Sequence, residues 1–189
     1  LWLRLGDRAR ARGFAAANGM PFYRDLAARL DDPATPLERV ALEVPFVRQH
    51  HMTCGPATLV ALAQYFGSDV DHLRIADEIC YGGTTAASER RWALRNGFVA
   101  REFTLNAEDA HALLRLGLPF AVATAEPTSG HLQAVIGFDH CRRTLLVRDP
   151  YVRRTREWVT DDFLRHYRAT GPRALLILRP ADAARAQHL

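Results

Sequence analysis

The residue best suited to chemistry in this chain is a cysteine at the start of an apolar run. Cys54 precedes the run 59–66, which stops at Gly67. Thr53 is a suitable N-terminal cap for a helix here, Pro56 fits its first turn, and the glycine supplies a C-terminal stop. A thiol at a helix N-terminus lies at the positive end of the backbone dipole, which favours the thiolate. The pattern therefore predicts a nucleophilic cysteine.

The side-chain amide of Gln49 is a second group with a suitable position. It lies five positions before Cys54, close enough to point at the same spot as the Cys54 backbone N–H. Two hydrogen-bond donors that converge beside a thiolate are what an oxyanion hole requires. We therefore expect both groups to stabilise a developing oxyanion, and a general base must come from elsewhere in the chain.

A base and a carboxylate to orient it are predicted at the two ends of a β-hairpin. Residues 131–138 predict one strand, which begins at His131, and residues 144–149 predict a second, which ends at Asp149. The short polar stretch 139–143 predicts the turn between them. Folding about that turn brings the start of the first strand beside the end of the second. We therefore expect Asp149 to orient the His131 imidazole.

Each of these four residues also has a simpler explanation. A cysteine in a helix is usually only buried, and a histidine at a strand end is usually not a base. An aspartate before a proline is a common turn former, and Gln49 could be only a hydrogen-bonding group in a loop. The catalytic interpretation of Cys54 depends on the Gly-Pro that follows it. The interpretation of His131 as a base depends on the presence of Asp149 and Cys54.

Two short strings contain residue types that bind metal ions. They are His50-His51-x-x-Cys54 and Asp139-His140-Cys141. Neither has the paired spacings of a structural zinc site. We therefore expect no metal ion in this chain.

Three motifs, in this order along the chain, resemble the papain-like cysteine peptidases. They are Gln-x-x-x-x-Cys-Gly-Pro-Ala, Gly-His at a strand start and Asp-Pro after a hydrophobic strand. The pattern is most similar to the bacteriocin-processing, double-glycine peptidase type and its stand-alone relatives, over about residues 44–180. The resemblance implies that Cys54 is the nucleophile, His131 the general base, Asp149 the orienting acid and Gln49 the oxyanion glutamine.

The resemblance implies a cysteine peptidase that needs no cofactor and hydrolyses a peptide or protein substrate. It also suggests cleavage of a leader peptide after small residues such as Gly-Gly or Gly-Ala. Two departures are that His50 and His51 are unusual between the glutamine and the cysteine, and that no transporter membrane segment follows. Two alternatives stay open: a papain-like acyltransferase of the transglutaminase kind, and a non-catalytic peptide-binding module of a larger repeat protein.

Composition excludes several other classes. The chain has 189 residues, which suits one domain with a substantial core, and its 48% apolar residues form short runs rather than a membrane span. All 25 basic residues are arginine, which excludes a Schiff-base lysine and a P-loop lysine. The net charge is only +4, and carboxylates lie between the arginine clusters. We therefore expect no nucleic-acid partner and no membrane contact within this segment.

The cysteines indicate a reducing compartment. There are three, an odd count, and no two are closely spaced. We interpret Cys80 as a small buried apolar residue. Because the sequence opens on Leu1 without a signal peptide, we expect a cytoplasmic piece of a larger multidomain protein.

The expected fold class is α+β and papain-like, with a helical half that carries the nucleophile helix on a mostly antiparallel sheet. Residues 1–39 predict a helical N-terminal extension, resembling the helix pairs of repeat proteins. Residues 40–180 predict the peptidase domain, and 181–189 the start of a following helix. Helices are predicted near 54–66, 70–79, 86–96, 107–116 and 160–167, and strands near 99–105, 119–124, 131–138, 144–149, 156–159 and 174–178.

Overall fold

An antiparallel sheet of seven strands forms one half of the protein. The computed structural model describes residues 1–126, 129–166 and 173–186. The strands are β1 (Arg39–Ala41), β2 (Val99–Thr104), β3 (Phe120–Glu126), β4 (Ser129–Asp139), β5 (Thr144–Arg148), β6 (Arg156–Val159) and β7 (Arg173–Leu178). Their order in the sheet is β2-β7-β3-β4-β5-β6, and β1 pairs with β4 beside this path.

Seven α-helices lie mainly before the sheet in sequence. They are α1 (Arg8–Ala16), α2 (Pro21–Asp31), α3 (Cys54–Tyr65), α4 (His72–Ile79), α5 (Ala86–Arg95), α6 (Ala107–Arg115) and α7 (Thr160–His166) among the described residues, with 3₁₀ segments at Trp2–Leu5 and Pro180–Ala186. Four of these helices have an N-cap side chain that accepts a backbone N–H of the first turn; the cap residues are Asp7, Asp71, Thr85 and Asn106. Helices packed on a mostly antiparallel sheet confirm the predicted α+β class.

The central helix is α3, and it is enclosed on all sides. Its residues 55–63 are all buried, which is why this helix is apolar all round rather than amphipathic. Gly67, with φ of +80°, ends the helix as predicted. The cap is different from the prediction. Thr53 occupies the N-cap position, but its side chain accepts no hydrogen bond from the helix and instead bonds to the backbone of His50.

One apolar core joins the helices to the sheet. Its largest fully buried side chains include Trp92 of α5, Phe120 of β3, Phe138 of β4 and Phe163 of α7. Helices α3 and α6 both lie against β4. The longest strand is therefore the platform on which the nucleophile helix rests.

The N-terminal helices form a smaller apolar cluster of their own. Helices α1 and α2 pack together, and the turn between β4 and β5 inserts Cys141 into their contact. Arg29 of α2 donates a hydrogen bond to the Cys141 carbonyl oxygen at 2.8 Å. Residue 40, the predicted start of the peptidase domain, lies in the middle of β1, which pairs with β4.

Two element boundaries differ clearly from the predictions. Strand β4 begins at Ser129 rather than at His131, because its first residues pair with β3. The segment Pro180–Ala186 is a 3₁₀ helix, and residues 187–189 lie outside the described residues. The predicted end of α7 near Tyr167 also lies outside them. Within the described ranges, each helix is too short or too polar to cross a bilayer.

Neighbouring strands leave little space around Gly137, where β4 is paired on both sides. Gly137 pairs with Ala41 of β1 and with Leu146 of β5, beside a β-bulge that follows Val135. A Cβ atom at this position would overlap the Val40 carbonyl oxygen and lie 3.0 Å from a Leu146 methyl carbon. The glycine is therefore required because β1 occupies the space of a side chain.

Gly137→Ala should destabilise the protein by about 1–3 kcal/mol, because β1 or β5 has to move to admit the methyl group. Urea unfolding followed by circular dichroism measures the change as a lower midpoint. Gly130→Ala in the same strand is the matched control, since nothing lies within 4 Å of its added methyl group. Equal midpoints for the two variants would contradict the steric explanation.

Candidate active site

Three separate elements bring the predicted site residues together. Cys54 is the first residue of α3, His131 lies near the start of β4, and Asp149 follows the last residue of β5. Strands β4 and β5 pair antiparallel, with Ala134 opposite Arg148. This register brings His131 Nε2 to 3.0 Å from Asp149 Oδ1. The predicted juxtaposition of the two side chains is therefore present in the structure.

The nucleophile helix is attached to the same strand by a buried hydrogen bond. Thr58 Oγ1 donates to the Leu132 carbonyl oxygen at 3.0 Å. Thr58 lies one helical turn after Cys54, and Leu132 is the neighbour of His131 in β4. The bond therefore fixes the N-terminus of α3 beside the imidazole.

The electrostatic surroundings of Cys54 favour its thiolate. Burial alone would raise the pKa of this thiol. Hydrogen bonds from the His131 side chain and from the Leu132 backbone outweigh that effect and hold the pKa of Cys54 below its ordinary value. Because Nε2 of His131 faces Asp149, the other ring nitrogen, Nδ1, is the one left for the thiol.

The surroundings of the His131 imidazole favour its charged form. Burial alone would lower the pKa of His131, but hydrogen bonds to Asp149 and Cys54 raise the pKa to about 9. A cysteine whose pKa is lowered, beside a histidine whose pKa is raised, favours transfer of the thiol proton to the imidazole.

Asp149 is almost completely buried, with 2% of its surface exposed. Besides the bond to His131, it accepts hydrogen bonds from the Tyr151 backbone N–H at 2.9 Å and from Arg156 Nη1 at 2.8 Å. Burial by itself would raise the pKa of Asp149, but these three donors lower the pKa to about 2. The carboxylate is therefore ionised at every pH at which the protein is expected to work.

Arg156 is a partner of Asp149 that the sequence analysis did not single out. Arg156 opens β6 and pairs with Val147 of β5, two residues before Asp149. Residues two apart in a strand lie on the same side, so the guanidinium reaches the carboxylate. It also lies 4.5 Å above the Trp158 ring. A basic residue at the start of the strand that pairs with β5 is the signal that could have identified Arg156.

Gln49 is tied to the segment that carries the buried carboxylate. Its backbone N–H donates to the Pro150 carbonyl oxygen at 3.0 Å. Its side-chain Oε1 is buried, and it has no hydrogen-bond partner among the described residues. The Gln49 backbone is therefore held beside the segment that follows Asp149.

One of the two histidines near the cysteine, His50, contacts a histidine of α4. The His50 ring stacks on His72, with centroids 5.4 Å apart and an angle of 9° between the planes. Over residues 1–126, 129–166 and 173–186, no three His, Cys, Asp or Glu side chains are grouped as metal ligands.

The space around Gly55, the residue after Cys54, leaves no room for a side chain. A Cβ atom on Gly55 would lie 2.8 Å from Thr84 Cβ and 3.2 Å from Glu89 Oε1. Glu89 of α5 is a buried acid, and burial chiefly raises its pKa to about 7. The nearby charge of Glu102 raises this pKa further, whereas Arg173 opposes the shift. A carboxyl group that the sequence analysis did not single out therefore lies directly behind the nucleophile.

Comparison with known proteins gives this arrangement a family. The profile of the Peptidase_C39 like family matches residues 41–175. The peptidase domain of Streptococcus ComA, a bifunctional ABC transporter of a quorum-sensing pathway, has a similar fold. The TM-score is 0.62 at 21% sequence identity, and the alignment covers 72% of this chain and 99% of that chain. No curated protein is similar enough to the chain to count as a relative.

Two further solved structures have the same fold. A double-glycine-motif protease from an AMS/PCAT transporter, solved with its leader peptide, gives a TM-score of 0.55 at 16% identity, over 73% of this chain and 93% of that chain. The N-terminal peptidase C39 like domain of a toxin secretion ATP-binding protein from Vibrio parahaemolyticus gives 0.53 at 17% identity, over 69% of this chain and 99% of that chain.

The fold is papain-like, and the family match identifies a cysteine peptidase. Within that class, the chain belongs to the Peptidase_C39 like family, whose profile covers most of its length. The predicted resemblance to double-glycine peptidases and the predicted enzyme class, a cysteine peptidase, are both confirmed.

Iodoacetamide at pH 6.5 should alkylate Cys54 much faster than Cys80 or Cys141, because the reactive species is the thiolate. Burial raises the pKa of Cys141. Cys80 is partly exposed, contrary to its prediction as a buried residue, and its Sγ donates a hydrogen bond to the Met52 carbonyl oxygen. Mass spectrometry of digested protein over a time course gives the three rates.

In this experiment, His131→Ala is the control for the imidazole. The variant should slow alkylation of Cys54 and leave the other two rates unchanged, because only Cys54 bonds to His131. Equal rates at all three cysteines of the folded wild-type protein would refute the assignment of Cys54 as the nucleophile.

Glu89→Gln should reduce the loss of stability that the protein shows as pH rises. Burial raises the pKa of Glu89 from the ordinary glutamate value of 4.5 to about 7, so between these pH values the folded state binds a proton that the unfolded state has lost. Stability therefore falls as pH rises from 4.5 through 7, by about 2–3 kcal/mol for this group. Urea midpoints at pH 5 and pH 8 measure the difference. Glu78→Gln, at an exposed carboxyl, is the control and should leave the difference between the two urea midpoints unchanged. A wild-type pH dependence in Glu89→Gln would contradict the effect of burial.

Proposed function

We propose that this protein hydrolyses peptide bonds through Cys54, His131 and Asp149, with Gln49 as an oxyanion donor. The observation that carries the proposal is the continuous chain from thiol to imidazole to carboxylate. The His131 side chain lowers the pKa of the Cys54 thiol, and His131 Nε2 lies 3.0 Å from Asp149 Oδ1. Nucleophile, base and orienting group in this order are the requirement for covalent acyl transfer.

The proposed reaction begins with the thiolate of Cys54, formed by transfer of its proton to His131. The sulfur attacks the scissile carbonyl carbon, and the developing oxyanion is stabilised by the Gln49 amide and the Cys54 backbone N–H. The imidazolium then protonates the leaving amine, which leaves a thioester on Cys54. His131 finally takes a proton from water, and the resulting attack releases the acid. Asp149 keeps the imidazole oriented throughout.

The substrate class we propose is a leader peptide cut after two small residues, such as Gly-Gly or Gly-Ala. Membership of the Peptidase_C39 like family supports this class. A protein of the same fold was solved with a leader peptide and is described as a double-glycine-motif protease. This similarity makes Gly-Gly junctions the first to test.

Synthetic peptides with one Gly-Gly junction should be cut at that junction, as measured by the masses of the products. Matched peptides with Leu-Leu in its place should remain intact. Cys54→Ala should abolish cleavage, and His131→Ala should cost nearly as much, because no other group moves the protons. Asp149→Asn should leave measurable activity, since an amide still accepts a hydrogen bond.

The same products distinguish the alternatives. With a primary amine added, only amide-linked products and no cleaved acid would indicate an acyltransferase. Cleavage by Cys54→Ala would contradict the thiol mechanism. An intact peptide together with an unreactive Cys54 would indicate a binding module.

A further inference from the structure

Both ends of helix α4 make a hydrogen bond to the loop between Gln49 and Cys54. His72, the first residue of α4, places its Nε2 3.1 Å from Thr53 Oγ1. Cys80, which follows the last residue of α4, donates from Sγ to the Met52 carbonyl oxygen at 3.2 Å. The two residues immediately before the nucleophile are therefore fixed by one neighbouring helix.

The loop itself has a backbone conformation that needs such support. Met52 has a φ of +57°, which is unfavourable for a residue with a side chain and persists only where the surroundings enforce it. Thr53 closes the turn, because its Oγ1 accepts the His50 backbone N–H at 2.8 Å. Thr53 is buried, so its hydroxyl depends on these protein partners.

A second contact of His72 reaches the other end of the turn. The His72 ring is parallel to the ring of His50, the residue after Gln49. Burial, and then the neighbouring His50, lower the pKa of His72. The ring is therefore neutral at physiological pH, where it can stack on its neighbour without charge repulsion. His72 thus contacts the turn at its first and last residues.

We propose that His72 is a positioning residue for the oxyanion hole, acting through the Thr53 hydroxyl. It fixes the turn that separates Gln49 from Cys54, so that the Gln49 amide and the Cys54 N–H converge on one oxygen. The inference rests on the proposed function, because it concerns the oxyanion donors of that reaction. His72 contacts neither the triad nor, in this proposal, the substrate.

This role has a specific kinetic consequence. Oxyanion donors act only within a narrow range of positions, and a displacement of about 1 Å can cost on the order of 10²-fold in rate. The thiolate, by contrast, depends on His131, which lowers the pKa of the thiol. Loosening the turn should therefore lower kcat without affecting the reactivity of the thiol towards a simple alkylating agent, which needs no oxyanion hole.

The first experiment compares three histidine variants with a Gly-Gly peptide as the probe. His72→Ala should lower kcat about 10- to 100-fold with KM within about twofold of the wild type. His72→Gln should restore most of the rate, because its amide reaches the same hydroxyl. His51→Ala is the matched control: this exposed histidine lies in the same turn and should leave kcat unchanged. Alkylation of Cys54 by iodoacetamide should be the same in all four proteins.

A pair of variants at Thr53 tests the same hydrogen bond from the other side. Thr53→Val removes the hydroxyl at nearly constant shape and should reproduce the loss in His72→Ala. Thr53→Ser keeps the hydroxyl and should retain the rate. These variants keep the test decisive if His72→Ala fails to fold, which thermal unfolding detects.

A double-mutant cycle with Gln49→Ala completes the test. Gln49→Ala alone should lower kcat about 10²- to 10³-fold. If His72 acts through the oxyanion hole, His72→Ala should cost little more in that background. Additive losses, unchanged kcat in His72→Ala, or a parallel loss of Cys54 alkylation would each overturn the inference while leaving the proposed function standing. A folded wild-type protein that cuts no Gly-Gly peptide would overturn both.

Discussion

A carboxylate enclosed by protein has to be paired, and the arrangement around Asp149 follows from that constraint. An unpaired charge at this depth would cost several kcal/mol, so its oxygens must find donors. They find the Tyr151 N–H in the following turn, Arg156 from the adjacent strand and His131 from the strand on the other side. The end of β5 and the starts of β4 and β6 are thereby held to one another. A single buried charge thus sets the direction of the imidazole and, through it, the acidity of the thiol.

Features that depend on neighbouring residues in sequence could be predicted. The α3 helix, its glycine stop and the β4–β5 hairpin follow from local apolar patterns and turn residues, and the hairpin register alone brings His131 to Asp149. The cap on α3 is an instructive error. Thr53 has the right residue type and position, yet its hydroxyl is taken by the His50 N–H, because the preceding turn competes for the same oxygen.

Features that depend on packing between distant segments could not be predicted in this way. Arg156 and Glu89 look like ordinary surface charges in the sequence, since nothing local indicates that one meets Asp149 and the other is buried behind Gly55. The cysteines show the same limit. Cys141 lies in a polar turn and is buried only because α1 and α2 cover that turn, whereas Cys80, beside an apolar residue, remains partly exposed.

The bond between Thr58 and Leu132 joins positions 74 residues apart, and this separation has a consequence for synthesis on the ribosome. Cys54 emerges long before the strand that carries its imidazole, and contacts of such long range form late in folding. Until that strand docks, the cysteine lacks the hydrogen bonds that make it acidic and behaves as an ordinary thiol. The lowered pKa of the Cys54 thiol is thus acquired together with the finished tertiary structure.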